Sequence, residues 1–250
     1  MKVSLIAVMS CLVLSVKSHA YMGGVTTPAD VSKWHGGATL ELYTNKKMPV
    51  MDVQSTDLIC RSPDMTDKRV PFSVAAGDTI RLTWDMDNDA AIVERKALLG
   101  PCSFWLAKLS SKGLGASWTK IHQQTYDADK TTTEWCTNEI LRAGSDKKAG
   151  TYDLVIPKGI EKGLYLLRSE IIDLTGAAVS NYDDYTMGAR YYPNCLVLDI
   201  TGDGSSPLKN PVDILNEYKK YYKTPLMTGG LDLTKFKYPG PAALDAKSSS

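Results

Sequence analysis

VAAGDTIRLTW, running from Val74 to Trp84, holds a turn and a strand in one short stretch. Ala76-Gly77-Asp78 supplies the residues a tight turn needs, and beyond it Ile80, Leu82 and Trp84 recur with period two. That period places all three on one face of a pleated strand. The same signature appears at Cys102 to Leu109, Thr151 to Ile156, Leu164 to Leu174 and Leu196 to Ile200. Turn clusters such as Pro157-Lys158-Gly159 and Thr201-Gly202-Asp203-Gly204 separate these runs. Short strands punctuated in this way predict an all-β chain, an antiparallel β-sandwich with long loops. One helix is expected from Pro211 to Tyr222, opened by Asn210-Pro211 as cap and first-turn proline.

The chain has 250 residues, 43% of them hydrophobic and 23% charged, the range of an ordinary globular protein. Its 29 basic and 28 acidic residues nearly cancel, and no long block of like charge occurs, which excludes a strongly basic nucleic-acid binder. No repeat or low-complexity linker divides it, so a single domain is expected, as a monomer.

Lys2 precedes an apolar run from Val3 to Val16 that is too short for a membrane span of about 20 residues. It reads as a secretory signal peptide. Two cleavage points satisfy the small-residue rule: after Ser18, which leaves His19 as the N-terminus, and after Ala20, which discards it. Removal of the leader takes Cys11 and leaves Cys60, Cys102, Cys136 and Cys195, an even count that favours two disulfides outside the cell. The segment 244–250 is expected to fray. No membrane span remains after signal removal.

Reactive motifs are scarce. There are three histidines, His19, His35 and His122, and no pair has metal-ligand spacing. A His-Glu-x-x-His pair, a G-x-S-x-G elbow and a glycine-rich phosphate loop after a strand are all missing. The carboxylates at Asp85, Asp87, Asp89 and Glu94 read as a solvated loop rather than an acid/base pair.

Six segments taken in order carry a resemblance: MPVMDVQSTDLICR (Met48 to Arg61), VAAGDTIRLTW (Val74 to Trp84), LGPCSFWLAKL (Leu99 to Leu109), KGLYLLRSEIIDL (Lys162 to Leu174), GARYYPNCLVLDITGDG (Gly188 to Gly204) and KYPGPA (Lys237 to Ala242). Together they resemble the fungal lytic polysaccharide monooxygenases of auxiliary activity family nine, over residues 19–243. The resemblance implies a secreted, immunoglobulin-like sandwich with a flat face, using copper to cleave cellulose and related β-glucans oxidatively. It implies the disulfide Cys60–Cys195, which leaves Cys102 with Cys136.

The resemblance also implies a histidine brace, in which an N-terminal histidine, a second histidine and an axial tyrosine hold copper. His19 matches the first position if cleavage follows Ser18, and Tyr192 matches the axial tyrosine. The second histidine falls at Leu98, which cannot ligate a metal. The outer-sphere histidine falls at Thr175 and the outer-sphere glutamine at Arg190, whose guanidinium would oppose a cation placed beside it. Substitutions around a metal site of this kind cost about 10 to 100-fold in affinity or activity elsewhere.

Trp34, in a loop that flanks the flat face in the family, and Tyr222, in the C-terminal loop, match sugar-stacking positions, whereas Trp84, Trp105, Trp118 and Trp135 read as core. The expected function is binding to or action at a cell-wall polysaccharide (cellulose, β-glucan or a chitin-like polymer) with copper-dependent cleavage impaired or lost. Two alternatives stand beside it. One is an active copper monooxygenase with an unconventional site at His19 and Tyr192, into which His35 could enter; the other is an extracellular copper-handling protein.

Overall fold

A computed structural model of the chain describes residues 20–40, 48–62, 69–86, 100–109, 117–129, 135–143, 149–180, 182–183, 187–228, 232, 235–244. Its strands are β1 (Ala20–Thr27), β2 (Asp30–His35), β3 (Phe72–Ala75), β4 (Thr79–Met86), β5 (Cys102–Lys108), β6 (Thr119–Gln124), β7 (Ala149–Val155), β8 (Gly163–Gly176) and β9 (Gly188–Thr201). Among the described residues three short α-helices, α1 (Asp57–Cys60), α2 (Cys136–Ala143) and α3 (Ile214–Lys219), and a 3-10 turn at Gly36–Ala38 join them.

The strands form a sheet of order β2-β1-β4-β7 and a second of order β3-β9-β8-β5-β6. All pairings are antiparallel except β3 with β9. The sandwich expected from the alternating runs is therefore present. Ile80, Leu82 and Trp84 do share one buried face, meeting Phe104, Leu167, Tyr192 and Leu196 between the sheets.

The larger sheet is buried on both sides. Alternate residues of β8 and β9, among them Leu166, Ile172, Tyr191 and Val197, point outward into a second apolar layer built from α1, α3 and the C-terminal segment. Trp105, Trp118 and Trp135 belong to that layer, and all four tryptophans assigned to the core are buried. The disulfide Cys60–Cys195 ties α1 to β9, and Cys102–Cys136 ties β5 to α2. Both pairings match those the resemblance implies.

β9 runs further than its apolar stretch suggests, because Pro193 does not interrupt it. The side of Pro193 facing away from β8 has no neighbouring strand, since β3 reaches only Leu198 to Thr201. A proline fits such an unladdered edge. Loop residues fill it instead: Val50 bonds to Tyr191, Leu40 N donates to Cys195 O, and Arg61 Nε donates to Pro193 O at 2.9 Å.

Three expectations are corrected. The helix begins at Ile214 rather than Pro211, because Val212 is held extended by a bridge to Trp118 and the Asp213 carboxylate caps the amides of Leu215 and Asn216. Leu244, expected to open a frayed tail, donates its amide to Lys120 O and packs on the core. Trp34 lies in strand β2 rather than in a loop.

Candidate functional site

Four features converge at the end of the sandwich where β8 turns into β9: the first residues of β1, the αL residue after α1, the last turn of β8 and the first residues of β9. Gly176 opposes Gly188 at the mouth of this hairpin, and Asp173 opposes Arg190. Arg190, Tyr192 and Asn194 alternate along β9, so they share the face that looks toward β1.

β1 is locked to this face by its first residues. Met22 N donates to Asn194 Oδ1, and Arg61 Nη2 donates to both Ala20 O, at 3.0 Å, and Asn194 Oδ1. Arg61 adopts φ +51° directly after α1, a left-handed conformation that ends the helix and turns the side chain inward. Its other nitrogens donate to Pro193 O and Met48 O, so a buried guanidinium is satisfied almost entirely by carbonyls. The guanidinium carbon lies 5.7 Å from the centroid of the Tyr192 ring. Burial brings the Arg61 pKa down to about 10, against the opposing influence of Tyr192, Asp57 and Glu170, and it stays charged at neutral pH. Tyr192 itself is fully buried.

Asp173 is the residue the sequence reading missed. Thr175 donates to its Oδ1 twice, from the amide at 2.9 Å and from Oγ1 at 2.5 Å, and Arg190 Nη1 donates to Oδ2 at 3.1 Å. Thr175 and Arg190, each expected beside a metal, are thus brought together by a shared carboxylate. Arg190 is not an isolated like charge opposing a cation, because Asp173 compensates it. Burial holds the Asp173 carboxyl above the ordinary range, and the bonds from Thr175 and Arg190 offset that only in part. The visible signal was a carboxylate in phase with Tyr165, Leu167 and Ile171 on the inward face of β8, whereas Glu170 lies on the other face.

The two described histidines, His35 and His122, lie away from this end. His35 pairs with Val25, five residues along β1 from Ala20, which the strand rise converts to roughly 16 Å. Its ring meets the Phe72 edge at 5.3 Å instead. His122 sits on β6, where Nε2 shares a 2.7 Å hydrogen bond with Tyr152 OH and the ring stacks on Phe104. His19 and Leu98 lie outside the described residues, as does the side chain of Trp34. The backbone of Trp34 is near the His35 end of β2 and so remote from the start of β1. Among the described residues no group of three or more His, Cys, Asp or Glu could hold a metal ion.

Of the two rings expected to stack on sugar, Trp34 and Tyr222, only Tyr222 has a described side chain. Tyr222 is half-buried, and its ring stands 66° to that of Tyr182 with centroids 5.1 Å apart. The loop carrying Tyr222 is tied to the β8–β9 hairpin by a bond from Met227 N to Ala177 O.

On the outer side of β8 lies a buried polar cluster. Arg168 bonds Glu170 Oε1 at 2.6 Å and the carbonyls of Leu58 and Ile59, and the hydroxyls of Tyr218 and Tyr238 donate to Glu170 Oε2. Burial first, then the Glu170 charge, pushes both phenols well above their ordinary range. All its members are enclosed, so it braces α3 and the C-terminal segment rather than meeting a ligand. Among the described residues no helix is long and apolar enough to cross a membrane.

The family model for Auxiliary Activity family 9 (formerly GH61) matches residues 15–228. An AA9 family lytic polysaccharide monooxygenase A of Collariella virescens is 26% identical over 203 residues, covering 80% of this chain and 72% of its own length. The protein of the same description from Schizophyllum commune is 29% identical over 254 residues, covering 96% and 95%. Among solved structures, CvAA9A superposes with a TM-score of 0.75 at 24% identity, over 92% of this chain and 99% of that one, and so shares the fold.

Proposed function

This chain belongs to Auxiliary Activity family 9, and from that membership we propose that it is a secreted protein that binds cell-wall polysaccharide of the β-glucan type, its copper-dependent cleavage impaired or lost. The observation that carries the reading is the closed triad Thr175–Asp173–Arg190. At the places where the resemblance puts an outer-sphere histidine and glutamine, this chain has two side chains that both donate to one buried carboxylate.

The fit of the described residues to copper is poor. Copper would supply the oxidative chemistry of the family when bound, and the ligand set that the resemblance implies would hold it with two imidazoles and a tyrosine oxygen. The described residues offer Tyr192 alone, with the Arg61 cation behind its ring. The two described histidines are held elsewhere. The resemblance puts Leu98, which cannot ligate a metal, at the second ligand position.

The processing point follows from the same packing. Ala20 is fully buried, pairs with Met86 and gives its carbonyl to Arg61. Cleavage after Ala20 would remove a core residue and a partner of a buried cation, so cleavage after Ser18, leaving His19 first, suits this fold. That retained histidine serves both alternative readings, an active monooxygenase with an unconventional site and copper handling.

The test is a pull-down on cellulose, β-1,3-glucan and chitin, followed by product analysis with copper, a reductant and peroxide present. Binding without oxidised oligosaccharides is expected. Oxidised products that vanish on mutation of His19 would establish an active monooxygenase.

A further inference from the structure

We infer that Tyr182, on the loop between β8 and β9, is the ring that stacks on the glycan, with Tyr222 as the buttress that holds it. The inference rests on the polysaccharide reading and assigns a contact residue to it.

Tyr182 is 53% exposed, the most exposed aromatic side chain among the described residues, while its partner Tyr222 is half-buried. The pair is edge-on, so one ring supports the other and leaves the outer one presented to solvent. The turn beneath is closed by bonds between Ser180 and Asp183, which flank the tyrosine. Ser180 is buried and donates its hydroxyl to Asp183 Oδ2 at 2.5 Å, while Asp183 N donates back to Ser180 Oγ at 3.1 Å and to Ser180 O at 3.2 Å. A ring fixed in advance loses little freedom when a ligand arrives.

Position supports the same reading. The loop closes the hairpin whose mouth is Gly176 and Gly188, the end that carries Thr175, Arg190 and the start of β1. Met187, at the foot of the same loop, is exposed as well. Trp34, the other expected stacking residue, belongs to the far part of β2. The apolar C–H face of a β-linked hexose fits an exposed ring of this kind, as one unit of a flat chain.

The Lys223 ammonium lies 4.8 Å from the Tyr182 ring centroid. An exposed cation–π contact of this kind is weak and the lysine stem is flexible, so a sugar displaces it readily. The charges that flank the ring are of both signs, Lys223 over it and Asp183 next to it in the chain. Stacking, not charge, is therefore the recognition that this surface offers.

The experiment is a binding isotherm of the secreted chain on cellulose and on β-1,3-glucan, with variants Tyr182→Ala, Tyr182→Trp and Lys223→Ala. Tyr182→Ala should weaken binding about fivefold with an unchanged melting curve, and Tyr182→Trp should restore it. Lys223→Ala should alter binding less than about twofold, and salt should have little effect. Binding by the parent chain that survives Tyr182→Ala overturns the inference and leaves the polysaccharide reading intact. Loss of binding on Lys223→Ala together with loss at high salt overturns it in favour of a charge contact. No binding by the parent chain to either polymer overturns both readings.

Discussion

Replacing Asp173 with asparagine should flatten part of the stability–pH profile. The carboxyl is enclosed and its pKa lies above the unfolded value because burial outweighs the bonds from Thr175 and Arg190. The native state therefore holds a proton that the unfolded chain has already released, in the window from about pH 4 up to the native titration point. Stability from this group is complete below the window and is lost as pH rises through it. The slope at full effect is about 1.4 kcal/mol per pH unit, from the linkage relation. Asparagine keeps the acceptor for Thr175 and does not titrate, so the gap between parent and variant should shift by up to that amount for each unit crossed. Urea unfolding at half-unit steps from pH 4 to pH 7 reads it directly. Arg190 lowers the Asp173 pKa, so Arg190→Gln should widen the window on its basic side. Parallel stability curves for parent and Asp173→Asn across the range would refute the reasoning.

Other outcomes follow from the same packing. Removing Cys60–Cys195, which spans 135 residues, should cost about 5 kcal/mol, and removing Cys102–Cys136, which spans 34, about 4 kcal/mol, both upper-end chain-entropy figures checked by thermal unfolding of serine pairs. Lys120 is buried between the rings of Trp105 and Tyr238, and burial lowers its pKa to about 7. Its charging penalty is present below pH 7 and is relieved as pH rises toward about 10.4, so the parent chain should gain stability over that window relative to Lys120→Met. Gly240→Ala should destabilise by about 2 kcal/mol or more, because φ is +86° and an added Cβ would lie 2.7 Å from the Trp105 ring; a melting curve matching the parent would contradict this. N-terminal mass spectrometry of the secreted protein should find His19 as the first residue.

Strands with strict alternation and flanking turns were legible, as Thr79 to Trp84 shows. β8 was legible by its length even though both of its faces are buried, which blurs period two. β1 and β2 were not, since Gly23-Gly24 and the short polar run of β2 carry no apolar period and owe their strand state to pairing with β4 and with each other. The position of Trp34 was misread for that reason. Tyr192 and the disulfides came from motif matching, and both disulfides form as matched. Arg190 was read as a bare charge because its compensating partner, Asp173, is seventeen residues away and meets it only through strand register. Tyr182 has no motif to announce it. Its exposure becomes visible only when the hairpin is closed.

The unladdered edge of β9 has a consequence for how this chain tolerates change. Insertions between Gly176 and Gly188 only lengthen a loop, whereas a single residue gained or lost between Ala189 and Cys195 would exchange the two faces of the strand. Tyr191 would turn toward the other sheet, Tyr192 would enter the layer above α3, and Cys195 would leave Cys60. The carbonyl that Pro193 offers to Arg61 would shift out of reach as well, since no strand beside it could take up the slack. The hairpin can thus change in length without moving the phase of the strand it leads into, which is fixed by a cystine, a guanidinium and a proline acting as three successive pins.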